Sequence, residues 1–196
     1  MSKLILASAS PRRKEILSTV GYSFLIEVSD IEEKSDKEMP YELVMDLAKI
    51  KAEAVLEGHK DEDVIVLGAD TVVANEGQIL GKPKDSNHAK EMISSLQGKT
   101  HQVYTGVCLW WHEKGERKCV TFYEKTDVSV YPMTEAEIDA YVATNECADK
   151  AGSYAIQGLF GPYVEGISGD YNNVVGLPVA RIYQEIKKLG LVITND

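Results

Sequence analysis

A chain of 196 residues can bury one sizeable core or two small lobes that share a sheet, and no Pro/Ser-rich linker divides it, so a single domain over residues 1–196 is expected. Its formal charge of -10 argues against general binding to nucleic acid polymers or anionic membranes, since a local basic patch would have to overcome long-range repulsion. The cysteines Cys108, Cys119 and Cys147 are odd in number and form no C-x-x-C pair, and the start is too short for a secretory signal, which together point to the cytoplasm.

In chain order, Leu4-Ile5-Leu6-Ala7 reads as a strand that stops at Ser8-Ala9-Ser10-Pro11-Arg12-Arg13, where a helix begins. Ser10 is a preferred N-cap residue and Pro11 suits the first helical position, where its missing N–H costs nothing. Gly21 closes that helix, and Tyr22 to Ile26 begins a second strand leading to the acidic loop Asp30-Ile31-Glu32-Glu33. From Tyr41 to Leu56, Val44, Leu47, Ala48 and Val55 recur at helical spacing, and Lys51 falls on the same stripe. Val64 to Ala74 is a continuous β-type run, expected to be covered on both faces of an α/β sheet. A turn at Asn75-Glu76-Gly77-Gln78 follows, and Asp85 caps a helix ending near Gly98. Runs from His101 to His112 and Lys118 to Tyr131 flank Glu113-Lys114-Gly115-Glu116 as a long hairpin. Thr134-Glu135-Ala136-Glu137 is a capping box, Gly152 to Gly176 holds short strand candidates only, and Pro178 opens a last helix to about Leu189.

Two places carry chemistry. At the first loop, the free N–H groups and positive dipole end of a helix stand beside Ser8, Ser10, Arg12 and Arg13, an arrangement suited to phosphate, with an ordinary capped helix as the alternative. The Gly-rich spacing of a Walker loop is absent. Inside the most apolar run, Asp70 is a carboxylate that would cost several kcal/mol if left unpaired. A bound divalent cation would neutralise it, and so would Lys51 or Lys82, the latter in Gly81-Lys82-Pro83; a structural Asp–Lys pair is the alternative. Glu32 and Glu33 read as solvated by patterning, although their place after the second strand puts them near the sheet end where open α/β folds bind ligands. Together these features describe a carboxylate–metal pole facing a Ser/Arg/Lys phosphate pole, as in a phosphate-ester or phosphoanhydride hydrolase. The four histidines show no zinc-ligand spacing. Trp110-Trp111 places one bulky residue on each face of a strand, so one belongs to the core and the other to a rim, a contact surface or simple packing.

The ordered series of motifs resembles the Maf family of nucleoside triphosphate pyrophosphatases. It comprises Ser8 to Arg13, Glu33, Ala48-Lys49-Ile50-Lys51-Ala52, Gly68-Ala69-Asp70-Thr71-Val72-Val73, Gly81-Lys82-Pro83, Asp149-Lys150-Ala151-Gly152-Ser153-Tyr154, Ile156-Gln157-Gly158 and Val174-Val175-Gly176-Leu177-Pro178. The resemblance implies a mixed α/β, Maf/ITPase-like fold: an elongated, twisted mixed sheet with flanking helices forming two lobes around a cleft, commonly as a homodimer. It implies cleavage of a nucleoside triphosphate between the α and β phosphates, with a divalent metal, Mg²⁺ expected and Mn²⁺ or Co²⁺ as alternatives. Asp70 is then the proton acceptor and, with Glu33, a metal ligand; Lys82 joins them in catalysis. Ser8, Ser10, Arg12, Arg13 and Lys51 bind the phosphates.

Arg12, Thr71 and Gln157 look like the specificity trio of the branch acting on dTTP and UTP. A glutamine amide accepts from a pyrimidine N3–H and donates to a neighbouring carbonyl, which suits uracil and thymine and mismatches cytosine. The alternatives are the 7-methyl-GTP branch, a house-cleaning enzyme for deaminated purine triphosphates, and a nucleotide-binding regulator of septum formation with little catalysis. The intact set Asp70, Lys82 and Glu33 argues against the last.

Overall fold

The computed structural model describes residues 2–60 and 62–194. The chain forms two compact units, the first from Met1–Asp70, Thr105–Glu124 and Gly176–Asp196, the second from Thr71–Tyr104 and Lys125–Val175. Its strands are β1 (Lys3–Leu6), β2 (Phe24–Ile26), β3 (Val64–Asn75), β4 (Gln78–Leu80), β5 (Thr100–Glu113), β6 (Glu116–Val130) and β7 (Val164–Ser168). They run in the order β2-β1-β3-β5-β6-β7, with β4 paired to β3. The fold is therefore mixed α/β, as the sequence implies.

In the first unit, β1 pairs in parallel with β2 on one side and with β3 on the other. Helix α1 (Pro11–Thr19) connects β1 to β2 and α2 (Pro40–Leu56) leads to β3, so the strand order reverses direction at β1. The core under α2 joins Ile5 and Ala7 of the β1 segment, Val64 and Val66 of β3, and Ala48, Ala52, Val55 and Leu56 of the helix. Each large aliphatic buried there contributes about 1.5–3 kcal/mol. Strand alternation keeps positions 64, 66, 68 and 70 on that face. At Gly68 a Cβ would lie 2.2 Å from the Ala48 carbonyl oxygen, and at Gly106 of β5 it would lie 2.2 Å from the Val44 carbonyl. Both glycines are there to let the helix backbone settle directly on the strands.

The second unit packs α3 (Ser86–Leu96) and α4 (Glu135–Ala143) around Val73, Ala89, Ile93, Leu96, Val103, Ile138 and Phe160. Asp85 accepts from the His88 N–H at 2.8 Å and Thr134 forms the reciprocal capping box with Glu137, as their sequences predict. The turns Glu76-Gly77 and Lys114-Gly115 have positive φ at both residues, the geometry that matches strand twist in tight hairpins.

The segment 152–176 departs from expectation. Besides β7 it forms a short helix, α5 (Tyr171–Val175), where the sequence offers short strand candidates only. The reason lies in one buried amide: Asn173 donates to the Val103 carbonyl at 3.1 Å and to Thr126 Oγ1 at 2.9 Å. Asp170 meanwhile accepts from the Asn172 N–H at 2.7 Å. The last helix, α6 (Val179–Lys188), starts after Pro178 as predicted.

His101 is fully buried in this unit, with Nε2 2.7 Å from the Tyr154 hydroxyl and no partner for Nδ1 among the described residues. Burial pushes its pKa down to about 4. In the unfolded chain the imidazole titrates near ~6.5, so the unfolded state takes up a proton that the folded state refuses until about 4. The stability held by neutral His101 is whole above ~6.5 and drains as pH falls through that window, by about 2 kcal/mol at pH ~5. His101→Asn should therefore lose less melting temperature than the parent between pH ~7 and ~5. Parallel pH profiles in thermal denaturation would contradict this account.

Candidate active site

In a parallel α/β sheet the crevice beyond the carboxyl ends of the strands, where strand order reverses, is the natural ligand site. In the first unit that point is the end of β1. The loop leaving it is Ala7-Ser8-Ala9-Ser10, tied to the neighbouring strand by the Ala7 N–H donating to the Leu67 carbonyl at 2.8 Å. Because Leu6 pairs with Leu67, Asp70 lies three residues farther along β3, past the end of β1.

Asp70 follows Gly68 on the face covered by α2, and Lys51 reaches it from that helix: Nζ stands 2.6 Å from Asp70 Oδ1. The same ammonium is 2.9 Å from Glu33 Oε2, in the loop that follows β2. Of the two lysines that the sequence offers as partners for Asp70, Lys51 pairs with it. The side chains of Lys51 and Asp70 are 15% and 16% exposed, and that of Glu33 is 48% exposed. The run around Asp70 is thus not sealed on both faces as the sequence suggests; burial breaks at Asp70 and Thr71, since a charged group keeps access to water. Glu33, which patterning alone left as a solvated residue, is drawn in by the lysine.

Ser8 and Arg13 form the other side of this unit's site. Arg13 is buried, donating Nε–H to the Gly176 carbonyl at 2.9 Å and a terminal N–H to Ser8 Oγ at 3.0 Å. Burial lowers its pKa from the usual arginine value, while the Asp70 carboxylate pulls in the opposite direction. Ser8 Oγ also accepts the Ser10 N–H at 3.3 Å, so its own O–H proton is left to donate outward. Ser10 occupies the N-cap position, but its hydroxyl makes no capping bond, contrary to expectation. The loop is ordered by Ser8 instead. Arg12 is half-buried at the start of α1.

The remaining candidates belong to the second unit. Lys82 is exposed, and the residue before it accepts at its carbonyl from the Gly152 N–H at 3.0 Å. Gly152 and Ser153 both have positive φ, and a Cβ at Gly152 would meet Val73 at 2.8 Å. That left-handed conformation at Ser153 costs of order 1 kcal/mol and fixes the course of the following residues. Gln157 is exposed between the buried Tyr154 and Phe160. Thr71 is half-buried. The sequence places His101 at the surface or core edge and gives no signal for Asn173 or Glu146; the structure buries His101 and turns the other two side chains onto polar groups of the protein itself.

Two carboxylates converge on one positive charge, and both are hard oxygen donors of the kind that bind Mg²⁺ together with substrate phosphates. Among the described residues no group of three His, Cys, Asp or Glu side chains is placed to hold a metal, so such an ion would complete its shell from phosphate and water.

Fold and site define an α/β protein with a carboxylate pair and a Ser/Arg loop beyond the carboxyl ends of its parallel strands. The model of the family described as Maf-like protein matches residues 3–189. A dTTP/UTP pyrophosphatase from Agathobacter rectalis is 53% identical over 205 residues, covering 97% of this chain and 99% of the relative. Relatives with the same name from Lachnoclostridium phytofermentans and Bacillus cytotoxicus are 48% and 53% identical, covering 100% and 96% of this chain and 100% and 96% of their own lengths. The chain belongs to the Maf family.

The buried guanidinium leads to a stability test. Arg13→Ala removes a buried donor to the Gly176 carbonyl and a partner of Ser8, a loss of about 1–3 kcal/mol. The melting temperature should fall by roughly 2–10 °C. Arg12→Ala, on a half-buried side chain, should move it less, and calorimetry on both variants compares them directly.

Proposed function

We propose that this chain hydrolyses dTTP and UTP between the α and β phosphates, releasing the nucleoside monophosphate and pyrophosphate. One observation carries the reading: Lys51 Nζ held between Asp70 and Glu33, beyond the end of β1. The names of the relatives support the substrate class.

In this reading Asp70 accepts a proton from the water that attacks the α phosphorus, while the bond to the bridging oxygen of the leaving pyrophosphate breaks. Asp70 and Glu33 would hold a divalent cation, Mg²⁺ first among candidates, which when bound offsets phosphate charge and lowers the pKa of a coordinated water. Lys51 holds both carboxylates in register and adds positive charge at their edge. Ser8 donates its hydroxyl to a phosphate oxygen, Arg12 and the N–H groups at the start of α1 bind the same tail, and Arg13 fixes Ser8 from behind. Ser10 offers its hydroxyl there too, unencumbered by a capping bond. Lys82 stabilises charge that builds on the leaving group.

Arg12, Thr71 and Gln157 set the preference for a pyrimidine with an N3–H, Gln157 reading that edge through its amide. The proposal includes one functional domain, a cytoplasmic setting, for which the free thiols Cys108, Cys119 and Cys147 speak, and a homodimer. The exposed apolar residues Leu25, Ile26, Val28 and Ile31 along and after β2 are a surface that self-association would cover.

Pyrophosphate release from a panel of nucleoside triphosphates with Mg²⁺ tests the proposal. UTP and dTTP should be turned over well above CTP, dATP and dGTP, and Asp70→Asn should lower kcat by about 10²–10⁴-fold. Equal turnover across the panel, or full activity of Asp70→Asn, would overturn it.

A further inference from the structure

We infer that Glu146 is the positioning residue that holds Gln157 for base selection, by clamping the backbone of the Gln157 loop. The inference rests on the proposed role of Gln157 and extends it to a residue that never meets the substrate.

The loop from Tyr154 to Phe160 is anchored at both ends. Tyr154 is buried with its hydroxyl on His101, and Phe160 is fully buried against the rings of Tyr141, Tyr154 and Tyr163. Between them, the Gly158 N–H donates to the Ala155 carbonyl at 3.1 Å and the Gly161 N–H to the Gly158 carbonyl at 2.9 Å, while Gln157 and Leu159 are exposed. These bonds curl the loop but do not fasten its middle to anything beyond it.

Glu146 supplies that attachment. Its two carboxylate oxygens accept the Leu159 N–H at 3.1 and 3.0 Å, a charge-assisted bond across 13 residues of sequence. The carboxylate is itself aimed by its own chain: Asn145 has a φ of 61°, and the Glu146 N–H donates to Thr144 Oγ1 at 3.3 Å. Gly158 makes room for it. A Cβ at Gly158 would lie 1.9 Å from Glu146 Oε1, although the backbone there is outside the left-handed region and would accept any residue. The glycine beside Gln157 is thus required by the carboxylate. The clamp on the Leu159 N–H fixes the Gly158–Leu159 peptide plane, the Gly158 N–H bond to the Ala155 carbonyl fixes the plane before it, and the two together set the direction in which the Gln157 side chain leaves the loop.

Two substitutions break the clamp by independent routes. Glu146→Ala removes the acceptor, and Gly158→Ala pushes a flexible carboxylate aside at little cost in stability. Both should cut the ratio of kcat/KM for UTP over CTP by about 10–100-fold, chiefly through KM for UTP, since displacement of a positioned group by about an ångström has effects of that size. Glu146→Gln keeps one acceptor oxygen and should restore most of the ratio. In a Gln157→Ala background, Glu146→Ala should lower the ratio no further, because the two residues act on one contact.

If Gln157→Ala collapses the ratio while Glu146→Ala and Gly158→Ala lower UTP and CTP turnover equally, the positioning role is overturned and the reading of Gln157 stands. If Gln157→Ala leaves the ratio intact, the base-reading role itself fails and this inference falls with it. Should Glu146→Ala not fold, as judged by thermal denaturation, the comparison of Gly158→Ala with Glu146→Gln gives the same answer.

Discussion

One lysine organises the first unit. The ammonium of Lys51 meets Asp70 from a strand and Glu33 from a loop with no regular structure of its own, so three segments far apart in sequence are gathered by a single positive charge. Such a partly exposed network contributes modestly to stability, because desolvation and side-chain ordering consume much of the Coulomb gain. What it does secure is geometry. Two carboxylates that would repel each other are kept within reach of one point, and the acidic loop after β2 acquires an attachment.

That geometry depends on the approach of α2 to the sheet. Val64, Val66, Gly68 and Asp70 lie on one face by strand alternation, and the helix presents Val44, Ala48, Lys51, Ala52 and Val55 toward it. With a side chain at 68 the helix could not settle where it does, and Lys51 would stand off from Asp70. Packing and chemistry are therefore the same problem at this site: the smallest residue of the strand sits two positions before the charged one.

Much of this was legible in the residues. The strand, loop and helix at the amino terminus, the helix carrying Lys51, the Asp85 cap, the capping box at Thr134 and the long hairpin all follow from local pattern and turn chemistry, which act over a few residues. Asp70 stood out because a charge in an apolar run is costly. What stayed hidden was held by long-range polar contacts: Arg13 turned inward to Gly176, Asn173 folding a short helix against Val103 and Thr126, and Glu146 under Leu159. No periodicity announces a carboxylate whose partner is a backbone N–H elsewhere in the chain. Glu33 shows the same limit: patterning does not separate it from Glu32, and the family resemblance and the arrival of Lys51 do.

The seat of α2 on Gly68 and Gly106 also bears on how such a chain can diverge. A single residue inserted or deleted between Val44 and Lys51 would turn the lysine by about 100° around the helix axis, away from its carboxylates, and no side-chain repacking could bring it back. Length variation among descendants is thereby steered away from this helix and toward the surface loop between β2 and α2, where Glu33 needs only reach, whereas Lys51 needs phase.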